Sequence, residues 1–171
     1  MNIHTVGHGT RTSDDLLEAL QRAKVETLVD VRRYPGSRRN PQFNRAALAE
    51  ALATEGIAYR HAEALGGRLS GEPREERFAC IRTAAFRSYA ARMGTPGWQA
   101  ALAAELEQPA PCFLCAETAW RRCHRKLIAE LLVARGHRVF HLLPGRVEPH
   151  RLSDDAEVRG GRLYFCGELV A

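Results

Sequence analysis

The sequence predicts a three-layer α/β fold, a mostly parallel, doubly wound sheet of about five strands with helices on both faces. Three observations carry this. Short β-branched or apolar runs alternate with longer stretches of helical periodicity, and each run ends in a polar or glycine-containing turn. Strands that alternate with helices require right-handed crossovers between parallel neighbours. A chain of 171 residues, 45% of them apolar, buries a core of ordinary size without disulfide or metal staples.

Ile3 to Val6 reads as the first strand, and Ser13 caps a helix with Leu16, Leu17, Leu20 and Ala23 on one face. Thr27 to Val31 is a second strand. It is followed by the proline-broken loop RRYPGSRRNPQF and a helix from Arg45 to Glu55 that Asn44 caps and Gly56 stops. Ala58 to His61 is a third strand. It runs into the glycine-rich loop LGGRLSGEP, after which Glu75 to Arg92 reads as helix in one or two pieces. Thr95 and Pro96 open the next helix, which stops before Pro109 and Pro111. Cys112 to Cys115 is a fourth strand, a helix runs from about Cys123 to Arg135, and Val139 to Leu143 is a fifth strand. Residues 1–143 form the α/β domain, and 144–171 read as a turn-rich extension packed on it, closing in a hairpin at Gly160 and Gly161.

The amino terminus MNIHTVGHG lacks a basic region followed by an apolar one, and no apolar run approaches the roughly 20 residues that cross a bilayer. A cytoplasmic protein without a membrane partner is expected. Five cysteines, an odd number on apolar or strand-like stretches, argue for reduced thiols rather than a disulfide framework. The net charge of +5 rests on arginine, Lys24 and Lys126 being the only lysines, and planar guanidinium forks suit phosphate or carboxylate.

In doubly wound sheets ligands bind beyond the carboxyl ends of the strands. The turns at those ends read GHGTR, DVRRYPGSRR and CAETAWRRCHR. They bring His8, Arg11, Asp30, Arg32, Cys115, Glu117, Cys123, His124 and Arg125 to one rim, where the arginines call for an anion, most naturally a phosphate. The segment from Cys115 to Arg121 also has the C-x5-R spacing by which cysteine phosphatases and some sulfurtransferases wrap an oxyanion, although Glu117 within it repels a dianion. Cys123, His124 and Arg125 fall at a helix amino end that favours a thiolate or a bound anion, with Arg125 the leading ligand candidate. Cys112 and Cys115 form a CxxC, but residues three apart on a strand point to opposite faces, so no metal is expected, nor any other cofactor. Arg33, Arg38 and Arg39, interleaved with Tyr34 and Phe43, present a surface suited to nucleic acid.

The same segments, with Asn44, IAYRH followed by LGG, and the late VFH, resemble the family called domain of unknown function 488 over roughly residues 4 to 143. The resemblance implies a small bacterial or archaeal α/β protein without an assigned reaction. Three functions follow from the residues. One is an enzyme acting on a phosphate-bearing small molecule, nucleotide or nucleic acid, with Cys115, Cys123, His8 and Glu117 handling protons or covalent chemistry and Arg11, Arg32, Arg38, Arg121, His124, Arg125 and Asp30 binding the substrate. Another is a non-catalytic nucleotide or nucleic-acid binding module. A third, thiol redox sensing, uses Cys115 and Cys123 alone.

Overall fold

The structure, a computed structural model, describes residues 1–67 and 75–171. Most of the loop LGGRLSGEP, its residues 68–73, lies outside the described residues, as does residue 74. The elements are β1 (Asn2–Gly7), α1 (Ser13–Arg22), β2 (Thr27–Asp30), α2 (Arg45–Thr54), β3 (Ala58–His61), α3 (Ala84–Met93), α4 (Pro96–Leu106), β4 (Pro111–Cys115), α5 (Arg125–Ala134), β5 (Arg138–Leu143), β6 (Arg146–Pro149), β7 (Ala156–Arg159), β8 (Arg162–Phe165) and β9 (Glu168–Leu169).

The main sheet runs β3-β2-β4-β1-β5-β6. All neighbours are parallel except β6, which returns antiparallel beside β5. Connections through α1 and α2 travel one way along the sheet and those through α3, α4 and α5 the other, so right-handed crossovers place the two groups on opposite faces. The core divides accordingly. Leu16 and Leu20 of α1 and Leu48 and Leu52 of α2 pack on Leu28, Cys112 and Leu114. Tyr89, Trp98, Leu102, Leu127 and Leu131 of the other three helices pack on Ile3, Val29 and Phe113. This is the predicted three-layer, doubly wound arrangement. β2 is buried at every position and β4 at all but its last, as strands covered on both faces must be.

Several local expectations are corrected. Thr12, not Ser13, caps α1: its hydroxyl accepts from the Asp15 amide and the Asp15 carboxylate accepts from the Thr12 amide, a reciprocal box that an acid three positions on completes only for Thr12. Asn44 stands at the start of α2, but its side chain accepts from the Ser37 amide at 2.6 Å and so ties down the preceding loop instead of capping the helix. Within Glu75 to Arg92 only the stretch from Ala84 is helical. α5 starts at Arg125, because Trp120–Arg122 form a 3-10 turn that Cys123 closes.

The segment after Leu143 contributes more than a turn. Arg146–Pro149 adds the sixth strand, and β7 and β8 form the expected hairpin across Gly160 and Gly161, with β9 beside β8. Leu163, Phe165 and Val170 join the core beneath α5, and α5 is therefore buried nearly all round, Glu130 included. Not every thiol is reduced. Cys80 and Cys166, 86 residues apart, form a disulfide that fastens this hairpin to the turn before α3. Nothing in the cysteine spacing signals it, since the pairing depends on where the returning hairpin lands. Among the described residues no helix is long and apolar enough to cross a membrane.

Candidate functional site

β1 and β4 are adjacent, yet the chain leaves β1 for α1 on one face and leaves β4 for α5 on the other. Their carboxyl ends thus flank a topological switch point, the crevice where doubly wound sheets bind ligands. The two departing turns are zipped together, with the His8 amide donating to Cys115 O at 3.0 Å and the Gly9 amide to Ala116 O at 2.9 Å. Gly7 makes this possible: a Cβ there would collide with the Glu117 carbonyl.

Two side-chain clusters stand at these strand ends, one built on Asp30 and Arg32, the other anchored to Val31 O. On the α1/α2 side, Asp30 is fully buried and accepts from the Arg32 guanidinium at Nε (2.8 Å) and Nη2 (2.5 Å), and from the Tyr59 hydroxyl at 2.8 Å. Arg32 so held turns Nη1 to His8 Nε2 at 3.3 Å. A guanidinium only donates, so His8 accepts at Nε2 and donates from Nδ1 to Gly9 O at 2.9 Å. The ring stacks on Phe43, and burial, with help from Arg32, lowers its pKa and keeps it neutral.

On the α5 side, Cys115, Cys123 and His124 meet. His124 donates from Nε2 to Val31 O at 3.2 Å, which leaves the Nδ1 lone pair facing Cys123 Sγ at 3.6 Å and Cys115 Sγ at 3.8 Å. The two sulfurs lie within 4.8 Å of each other. Their interaction holds the Cys123 thiol below its usual range and, together with burial, raises that of Cys115. Cys112 points to the other face, as expected, and burial pushes its thiol up.

Arg125 lies beneath the Cys115–Glu117 turn, 1% exposed, donating to Thr5 Oγ1 at 3.0 Å and to the Glu117 carbonyl. It forms no ion pair with a carboxylate among the described residues. From it a buried chain of polar groups crosses the α5 face. Thr5 accepts from Arg125 and passes its own proton to His141 Nδ1 at 2.7 Å; His141 Nε2 then donates to His150 Nδ1 at 2.9 Å, and His150 Nε2 stands 3.5 Å from Glu130. Burial, reinforced by His150, Arg125 and Arg121, lowers the pKa of His141 to about 2.

Not all the expected residues join. Arg121 is exposed, reaches Glu148 at 2.6 Å and covers the Trp120 ring, so the C-x5-R segment does not close on Cys115. Glu117 points to solvent and accepts from the Ala119 amide at 3.0 Å. Arg11 donates to Leu142 O at 2.8 Å and lines a cleft of about 840 Å³ between α1 and the β5–β6 turn, apart from the thiols. Arg38 and Arg39 are exposed on the loop after β2.

The sequence profile described as Domain of unknown function DUF488 matches residues 12–132. The chain belongs to the DUF488 family. The family match is narrower than the resemblance over residues 4 to 143: it contains Asp30, Arg32 and the Cys115–Arg125 segment but stops short of His8 and of the strands after α5. No curated protein and no solved structure matches this DUF488 chain significantly. Sequence reasoning missed Tyr59, Thr5, His150 and Glu130. Tyr59 and His141 fall inside the segments IAYRH and VFH, and the others carry no local signal because partners so far apart in sequence meet only in the folded sheet.

Proposed function

We propose that this DUF488 chain is an enzyme acting on a phosphate-bearing substrate, with Cys115, Cys123 and His124 as its reacting centre and the guanidinium of Arg32, oriented by Asp30 and flanked by His8, as the binding group for the substrate's oxyanion. The observation that carries the reading is the meeting of these side chains at the β1/β4 switch point. His8, neutral and accepting at Nε2, suits proton transfer beside a bound anion. The exposed arginines of the loop after β2 supply the further phosphate contacts that a nucleotide or oligonucleotide would use.

The reading is tested by thermal shift with inorganic phosphate, nucleoside monophosphates and short oligonucleotides, followed by turnover of the compound that binds. A saturating ligand raises the melting temperature by mass action, and Arg32→Gln should abolish the rise. Turnover should be lost in Cys115→Ser. Binding without turnover of any phosphate compound would favour a non-catalytic nucleotide or nucleic-acid module, and no response to any of them would overturn the substrate class.

A further inference from the structure

We propose that Cys115, Cys123 and His124 form a mononuclear site for a divalent cation of the zinc class, with one coordination position left for water or a substrate oxyanion. The proposal rests on the reading above only in taking these three side chains as the reacting centre.

Geometry carries it. The two sulfurs lie 3.8 and 3.6 Å from His124 Nδ1, and the three ligand atoms are all within 4.8 Å of one another. For a tetrahedral site with Zn–S near 2.3 Å and Zn–N near 2.0–2.1 Å, the sulfur-to-nitrogen edge of the polyhedron is about 3.6 Å. Both sulfur-to-nitrogen distances therefore already match those of the metal-bound form. A cation placed among the three ligand atoms engages both sulfurs and the nitrogen together.

The surroundings agree. His124 donates from Nε2 to Val31 O, the outer contact that fixes a ligating imidazole in the tautomer and orientation a metal requires. Two sulfurs and one imidazole select zinc or cobalt over magnesium or calcium, which prefer oxygen ligands. On binding, each thiol that still carries a proton loses it, so the cation's two charges are balanced by two thiolates. The buried Arg125 guanidinium, without a carboxylate partner among the described residues, then leaves the centre net positive and disposed to an anionic fourth ligand.

The test is a Co2+ titration of the full chain, stripped with a chelator and kept free of oxygen and thiol reductants. Wild type should develop thiolate-to-cobalt charge-transfer absorption in the near ultraviolet and the intense visible bands of tetrahedral cobalt, saturate at one ion per chain, and lose both signals on addition of Zn2+. Proton release in weak buffer should lie between one and two per ion, the Cys115 thiol supplying at least one. Cys115→Ser and Cys123→Ser should each weaken zinc binding by more than about 100-fold, beyond the range of outer-contact changes, while Cys112→Ser, altered on the opposite face, should bind like wild type. Far-ultraviolet circular dichroism checks folding, and His124→Gln gives the same comparison if a serine variant is unfolded. Folded wild type without charge-transfer absorption, or unchanged affinity in a folded Cys115→Ser or Cys123→Ser, would overturn the site. A response to phosphate without cobalt binding overturns the metal site alone, whereas cobalt binding without a response to any phosphate compound supports it and overturns the proposed substrate.

Discussion

Gly67 packs directly on the face of the His124 imidazole, and a methyl group added there would overlap the ring at Nδ1 and Cγ. The ring cannot retreat, because Tyr89 meets it edge-on on one side and Val31 O holds Nε2 on the other. Gly67→Ala should therefore cost about 1–3 kcal/mol, the usual penalty for overpacking a buried site. Urea denaturation measures that cost, and an unchanged midpoint would show that the loop at Gly67 yields instead. The same residue shows where sequence reading stops at this scale. Cys115, His8, Arg32 and His124 are legible because each falls in a turn that follows a strand, and strand ends can be read from short apolar runs. Arg121 is misplaced by the same logic: a C-x5-R spacing carries no record of the 3-10 turn at Trp120–Arg122, which swings its guanidinium out to Glu148. Arg125 sits deeper than an anion ligand at a helix start would, because α5 begins two residues later than periodicity predicts and its first side chain is drawn under the β4 turn.

At the scale of elements, β1 to β5 and four of the five helices follow from periodicity and turn chemistry, whereas β6, β9 and the short extent of α3 do not. β6 is a polar edge strand with a proline at its end, so it lacks the alternation or apolar run that marks a strand. The two glycines announce the hairpin β7–β8, but nothing in the sequence announces that the disulfide between Cys80 and Cys166 fastens it to the turn before α3. That bridge closes a long loop and should contribute about 2–4 kcal/mol, chiefly by restricting the unfolded chain. Cys166→Ser should lower the unfolding free energy by that amount relative to oxidised wild type and match reduced wild type in thermal denaturation. Equal midpoints for oxidised and reduced protein would assign the hairpin's stability to Leu163, Phe165 and Val170 alone.

For the molecule as a whole, the buried line from Arg125 to Glu130 ties the switch-point turn to the carboxyl-terminal segment and makes stability depend on pH. His141 has an ordinary pKa of 6.5 but takes up a proton in the folded chain only near pH 2. Between those values the unfolded chain holds a proton that the folded chain refuses. Stability from this group is thus complete above about pH 6.5 and declines on acidification by up to about 1.4 kcal/mol per pH unit. The groups around the ring are Thr5, His150 and Trp120, with Arg125 and Arg121 nearby, and both arginines stay charged throughout. His8 has a lowered pKa too, so it adds to the same trend. Denaturation free energies measured from pH 7.5 to pH 5 should fall for wild type and fall less steeply for His141→Gln, whatever the variant's stability at the upper limit; parallel slopes would exclude His141 as the source. A different consequence follows from strand order. β4, made of residues 111–115, sits between β2 and β1, so those two earlier strands touch each other nowhere in the sheet. While the ribosome is still extending the first 110 residues, β1 has neither of its partners and β2 has only β3. Assembly must wait for about two-thirds of the polypeptide to be translated. A stalled nascent chain cut short before Pro111 would expose β1 unpaired and one open edge of β2, the kind of apolar surface that chaperones recognise.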